Sequence, residues 1–150
     1  MNQDVIHGSV VAGVDGSAGS DTALAWAVEQ ATARHRRLVI VHGVDQPRVT
    51  SRLHGLVEAR RSRRMASRRV TDEALMRVRR LAPELDVHVI APVTGAAEAL
   101  LGLADRASLI VVGTRERGPT RSLVLGSVSV AVACHADCPV AVVRPAAPAG

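Results

Sequence analysis

Gly113, Gly126 and Ser127 are the residues whose types and spacing best suit a chemical role. Gly113 ends an apolar run, Leu109 to Val112. A polar, arginine-bearing loop follows, and Gly126-Ser127 then opens a second apolar segment. A strand that passes through a glycine loop into a helix offers the helix's first N–H groups to a ligand. Those groups lack intrahelical partners, and the helix dipole favours an anion beside them. Ser127 can add a hydroxyl donor. The arrangement implies a nucleotide or phosphoryl ligand. A lysine-based phosphate loop is excluded, because all 19 basic residues are arginine and GxxxxGK[ST] needs a lysine.

Other polar residues stand at the ends of apolar runs. Asp15 follows the first run and His42-Gly43 the second. Asp15 can serve a ligand, cap the next helix, or do both. His42, His88 and His135 read as structural histidines. Ser129 either reaches a terminal phosphate or is a solvated helix serine. Cys134-His135-Ala136-Asp137-Cys138 superficially resembles a metal cluster, but Cys138 precedes Pro139 at the start of an apolar strand. A cysteine there reads as a small buried hydrophobe, so no metal site is expected. No nucleophile elbow, closely paired carboxylates or HExxH motif occurs, and no catalytic residue is assigned.

The elements that must position these residues alternate along the chain. Short apolar runs at Ser9 to Val14, Leu38 to Val41, Val87 to Ala91, Leu109 to Val112 and Val140 to Val143 predict five strands. Helical spacing predicts helices over Asp21 to Arg34, from about Glu58 to Leu81, over Ala96 to Asp105, and over Ser122 to Cys134. Ser17 or Ser20 is the expected N-cap of the first helix. Asp45 to Gly55 reads as polar and irregular. Strands alternating with helices imply a parallel sheet covered on both faces, with ligands at the carboxyl ends of its strands.

Composition sets the remaining bounds. The chain has 150 residues, enough for one domain with a sizeable core. It contains no Phe, no Tyr and a single Trp, Trp26, so that core must be aliphatic. The net charge is +5. Nucleic-acid modules add stacking aromatics to such a charge, and their absence argues against that partner. The arginine run from Arg60 to Arg80 reads as a solvated helix face. Met1 to Gly8 is a polar N-terminal tail without a signal-peptide apolar region, and Pro145 to Gly150 reads as a disordered tail. No apolar run reaches the ~20 residues of a membrane span, so a cytoplasmic protein is expected.

Four stretches together resemble the universal stress protein family over residues 9–144. They are VVAGVDGS (Val10 to Ser17), LVIVHGV (Leu38 to Val44), the segment from Val93 to Gly118, and LVLGSVSVAVACHADCPVAVVR (Leu123 to Arg144). The resemblance implies an α/β three-layer sandwich, Rossmann-like and adenine nucleotide alpha hydrolase-like. Its five-stranded parallel sheet would have strand order 3-2-1-4-5.

ATP-binding members of that family resemble one another in a loop written G-x2-G-x9-G-[S/T]. Gly113, Gly126 and Ser127 match it, and Glu116 stands where the second glycine belongs. The resemblance implies a site of Val14, Asp15, Gly43, Gly113, Arg115, Gly126, Ser127, Val128 and Ser129. Asp15 and the Gly43 backbone would take the nucleoside end, and the loop would take the phosphates. The ligand implied is ATP, with or without Mg²⁺; cyclic AMP and no nucleotide are the alternatives. Glu116 leaves two outcomes open. Either Arg115, Arg117 and Arg121 offset its charge, helped by Gly118 or a Mg²⁺ bridge, or the site is lost and a nucleotide-independent dimeric scaffold remains. The family implies a stress-response sensor acting on a regulatory partner, with slow ATP hydrolysis at most rather than an enzyme. The last strand, Val140, Ala141, Val142 and Val143, would form a sheet edge that a homodimer covers.

Overall fold

The computed structural model describes residues 3–44, 53–116 and 123–146. Strands β1 (Val10–Gly13), β2 (Leu38–Val41), β3 (Val87–Ile90), β4 (Leu109–Gly113) and β7 (Val140–Val143) form one parallel sheet. Its order is β3-β2-β1-β4-β7, the expected arrangement. A separate antiparallel pair, β5 (Arg115–Glu116) and β6 (Leu123–Val124), intervenes between β4 and the last helix.

Alternation along each strand divides the core in two. Val10 and Ala12 of β1 point to one face, where they meet Leu38, Ile40, Leu109 and Val111. Helices α1 (Ala18–Ala33) and α2 (Leu53–Leu81) cover that face with Ala23, Leu24, Ala27, Ala74 and Val78. Val11 points to the other face with Val39, Val41, Ile110 and Val112. That face is covered from α3 (Ala96–Leu101) by Leu100 and from α4 (Ser127–His135) by Val132. Burying each such Val, Leu or Ile side chain contributes about 1.5–3 kcal/mol. Trp26 is only partly buried against the first cluster, so small aliphatics do carry the core.

Several boundaries differ from the periodicity reading. Helix α4 starts at Ser127 rather than Ser122, because Leu123 and Val124 pair as a strand with Glu116 and Arg115. Gly126 is the N-cap, with extended backbone at φ −64° and ψ 157°. Helix α3 ends at Leu101 rather than Asp105. The chain then tightens into i→i+3 bonds, Leu103 N–H to Leu100 O and Ala104 N–H to Leu101 O. Helix α2 begins at Leu53, ahead of Glu58. Ser17 caps α1, its hydroxyl oxygen accepting from Ser20 N–H. Within residues 1–8, Gln3–Val5 form a 3₁₀ turn and Ile6 is 1% exposed, so the segment read as a tail contributes to the core. Residues 45–52 of the irregular segment and 147–150 of the C-terminal tail lie outside the described residues.

The arginines from Arg60 to Arg69 in α2 are exposed, as a solvated face requires. Arg77 instead ties α2 to α1 through Asp21 at 2.8 Å. No helix among the described residues is long and apolar enough to cross a membrane.

Helix α1 closes on an unusual residue. Arg36 N–H donates to Ala31 O and His35 N–H to Thr32 O, the bond pair of a helix end that reverses through a left-handed residue. That residue is His35, at φ 52°, and it is exposed. A side chain in this conformation costs about 1–2 kcal/mol that glycine avoids. His35→Gly should therefore stabilise the protein by about 1 kcal/mol. Thermal unfolding should show a midpoint raised by about 2–4 °C. An unchanged or lowered midpoint would mean that the imidazole makes offsetting contacts.

Candidate functional site

Chain connectivity reverses between β1 and β4. From β1 the chain proceeds outward to β2 and β3; it then returns to β4 and β7 on the other side. The carboxyl ends of these two central strands diverge into separate loops, and the crevice between such loops is where open parallel sheets hold ligands.

The loop after β1 is locked by three hydrogen bonds. Asp15 Oδ1 accepts from Ser17 N–H at 2.9 Å, Ser17 Oγ accepts from Ser20 N–H at 3.2 Å, and Ser20 Oγ accepts from Asp15 N–H at 3.1 Å. Asp15 thus braces the approach to α1, while its side chain remains at the exposed rim. Val14 N–H donates to Val41 O, which fastens this loop to the end of β2. His42 Nδ1 lies 2.7 Å from Val14 O. A carbonyl only accepts, so Nδ1 carries the hydrogen, and the ring pins the two strand ends together. Beyond it, a Cβ on Gly43 would lie 2.5 Å from the backbone N and Cα of Ala96. The amino end of α3 therefore packs directly on the Gly43 backbone.

The end of β4 meets α1 just as closely. A Cβ on Gly113 would lie 2.5 Å from Gly19 O, and one on Gly19 would lie 2.3 Å from Thr114 O. Ser129, 3% exposed, donates its hydroxyl hydrogen to Gly113 O at 2.8 Å, which fixes α4 against β4. Its proton is thereby committed, and it is neither a solvated serine nor a free hydroxyl donor. The N-cap of α4, Gly126, has no side chain to bond the helix's first amides.

These elements enclose one cleft. Of the residues singled out in the sequence, Val14, Asp15, Gly43, Gly113, Gly126, Val128 and Ser129 line it together. Ser127 sits in the first turn of α4, exposed and outside the lining. Arg115 is placed by its backbone in β5, with its side chain outside what the structure describes. Arg117, Gly118 and Arg121 lie outside the described residues. Val41, Leu100 and Val112 supply an apolar floor. The cavity volume is about 70 Å³, and the space including the solvent-open mouth is about 560 Å³. The cleft thus joins an apolar floor suited to a flat ring with helix amides suited to an anion.

Sequence reasoning considered Ser20 only as a helix cap and passed over Thr114, yet both line the cleft. Ser20 carries a signal in its spacing from the N-cap Ser17. Thr114, one residue beyond a strand, carries none. A wider groove at the opposite edge, lined in part by Glu29, His35, Arg36 and Glu84, opens at the amino ends of the strands. Parallel sheets do not place their ligands there. The Arg37 guanidinium beside Asp86 holds that carboxyl below its ordinary value, also at this far edge. Cys134 is exposed; Cys138 is half-buried in the second core cluster, and burial pushes its thiol up.

Glu116 pairs with Leu123 in extended backbone. Among the described residues, His35 is the non-glycine residue with positive φ. Glu116 therefore bears none of the left-handed strain that would favour glycine at this motif position.

Comparison with known proteins bears on the whole chain. A sequence model of the Universal stress protein family matches residues 8–144. Universal stress protein Rv2005c of Mycobacterium tuberculosis is 32% identical over 146 residues, covering 92% of this chain and 48% of that protein. The chain thus spans about half the length of the curated relatives it matches. Universal stress protein UspA from Lactobacillus plantarum has the same fold, with a TM-score of 0.74 at 21% identity over 92% of this chain and 98% of that one. A universal stress protein in complex with cAMP superposes with a TM-score of 0.70 at 26% identity, covering 92% and 97% of the two chains. The motif glycines, the sheet order and the family match converge on one conclusion: the chain belongs to the universal stress protein family.

Proposed function

We propose that this chain is an adenine-nucleotide-binding module that holds ATP in the cleft between β1 and β4. Its occupancy would set an interaction with a regulatory protein in a stress response. The observation that carries this reading is the convergence of Gly113, Gly126 and the first turn of α4 on one cleft with an apolar floor. The structural neighbour described in complex with cAMP supports an adenine nucleotide and keeps the cyclic nucleotide as the alternative ligand.

In this reading the adenosine lies between Val14, Asp15 and the Gly43 backbone. The phosphates lie against Gly113, Arg115, Gly126, Ser127 and Val128. Ser129 contributes its amide, its hydroxyl being engaged by Gly113 O. Mg²⁺ would accompany a triphosphate, as it commonly does. The module binds and signals rather than catalyses. Its homodimer would form through β7, the sheet's edge strand, whose Val140, Ala141, Val142 and Val143 all remain partly exposed.

The test is to denature purified protein, identify released nucleotide by chromatography with mass detection, and titrate the emptied protein with ATP and cyclic AMP by calorimetry. A stoichiometric adenine nucleotide is expected. No released nucleotide, together with no heat of binding at millimolar ligand, would sink the reading.

A second reading is a nucleotide-independent dimeric scaffold, favoured by the placement of a carboxylate residue, Glu116, in the loop between β4 and α4. The two readings diverge for Glu116→Gly. Since no backbone strain is relieved, only repulsion changes, and ATP affinity should rise by less than about tenfold for a single screened charge. A change from no binding to tight binding would instead establish the scaffold reading for the natural chain.

A further inference from the structure

We infer that Thr114 is a ligand-binding residue whose hydroxyl donates a hydrogen bond to a phosphoryl oxygen in the cleft, beside the first amides of α4. The inference rests on the nucleotide reading and adds to it a donor outside the motif glycines.

Thr114 is 5% exposed, and its Oγ1 is buried without a hydrogen-bond partner among the described residues. Other buried hydroxyls behave differently. Ser9 donates to Ile6 O at 2.7 Å, Thr71 to Ser67 O at 3.1 Å, and Ser129 to Gly113 O at 2.8 Å. A buried polar group left unpaired costs free energy, and proteins avoid such groups unless something else satisfies them. Thr114 lines the cleft together with Gly113, Gly126, Val128 and Ser129.

Its backbone cannot move to find a partner. Thr114 N–H is bonded to Val143 O at 3.1 Å, and Thr114 O abuts Gly19 so closely that a Cβ there would lie 2.3 Å away. The side chain is the part left to adjust. Rotation about χ1 steps Oγ1 among the staggered positions, one of which Cγ2 now occupies, with no shift of the main chain. The hydroxyl can thus turn to the cleft when an acceptor arrives there.

The acceptor is a phosphoryl oxygen because of what surrounds it. The start of α4 presents only donors, its first N–H groups, and the positive end of the helix dipole. Adding a hydroxyl donor makes a group of donors that an acceptor-only anion satisfies. A nucleobase edge or a ribose hydroxyl would bring donors of its own.

The experiment uses Thr114→Val, which keeps the shape and removes the hydroxyl, and Thr114→Ser, which keeps the hydroxyl. Both are titrated by calorimetry with ATP, AMP and adenosine, and their unfolding midpoints are measured without ligand. Thr114→Val should lose about ten- to a hundredfold in affinity for ATP and AMP, the range for a hydrogen bond to a charged group. It should bind adenosine as the wild type does. Its ligand-free midpoint should hold or rise, since an orphaned buried hydroxyl has been removed. Thr114→Ser should stay within a few-fold of wild type. Unchanged ATP affinity in Thr114→Val would overturn the inference, as would an equal loss for adenosine. A lowered ligand-free midpoint would overturn it by revealing a structural partner. If the wild type bound none of the three ligands, the nucleotide reading itself would fail, and this inference with it; failure in Thr114→Val alone would leave that reading standing.

Discussion

Replacing Gly113 by alanine is expected to destabilise the protein by about 3 kcal/mol, the upper end of overpacking costs. The new Cβ would lie 2.5 Å from Gly19 O and 2.6 Å from its carbonyl carbon. Both are backbone atoms and cannot rotate aside. The clash must separate the end of β4 from the start of α1, and these elements carry Leu109, Val111, Ala23 and Leu24 of the first core cluster. For a chain of this size each kcal/mol moves the melting midpoint by about 2–4 °C, so a fall of roughly 10 °C should appear in ligand-free thermal unfolding. A midpoint equal to wild type would show that α1 shifts freely. Gly19→Ala should behave similarly through Thr114 O. Because the two substitutions open the same gap, their combination should cost less than the sum of the two alone. The first glycine of the nucleotide motif therefore has a packing reason to be glycine, quite apart from any ligand.

Gly126→Glu should separate binding from folding, which Gly113→Ala cannot. Gly126 has φ −64° and ψ 157°, a backbone that any residue adopts. A carboxylate at the positive end of α4 even favours the helix, by about 0.3–1 kcal/mol. The same carboxylate occupies the place a phosphate would take and repels its charge. ATP affinity should fall by at least about a hundredfold, equivalent to roughly 2.7 kcal/mol. Circular dichroism should match the wild type, and the ligand-free midpoint should hold or rise. Retained ATP affinity in a folded variant would move the phosphates away from α4 and undo the assignment of Gly126, Ser127 and Val128.

Much of this architecture is written locally. The apolar runs at Val10, Leu38, Val87, Leu109 and Val140 mark all five sheet strands, because a doubly covered strand must be apolar on both faces. Ser17 marks the start of α1 because only a side-chain acceptor of its kind satisfies the first amides there. Gly113, Gly126 and the residues around Asp15 mark the cleft, since glycine loops and helix starts at strand ends are local patterns too. The resemblance to universal stress proteins adds the sheet order, which no local pattern contains.

What the tertiary structure alone decided concerns contacts between distant segments. The β5–β6 pair has two residues per strand, too few for a period, so Leu123 and Val124 read as helix until Arg115 and Glu116 lie beside them. That pairing also holds Glu116 in extended backbone, a conformation set there by its partner strand and not by residue type. The meeting of Gly113 with Gly19, and of Gly43 with Ala96, is a matter of backbone atoms approaching across the fold. Neither glycine's neighbours encode it. Thr114 became a candidate only when its hydroxyl was found buried and unpartnered. Burial and hydrogen-bond satisfaction belong to the packed molecule, whereas periodicity, caps and glycine loops belong to the chain.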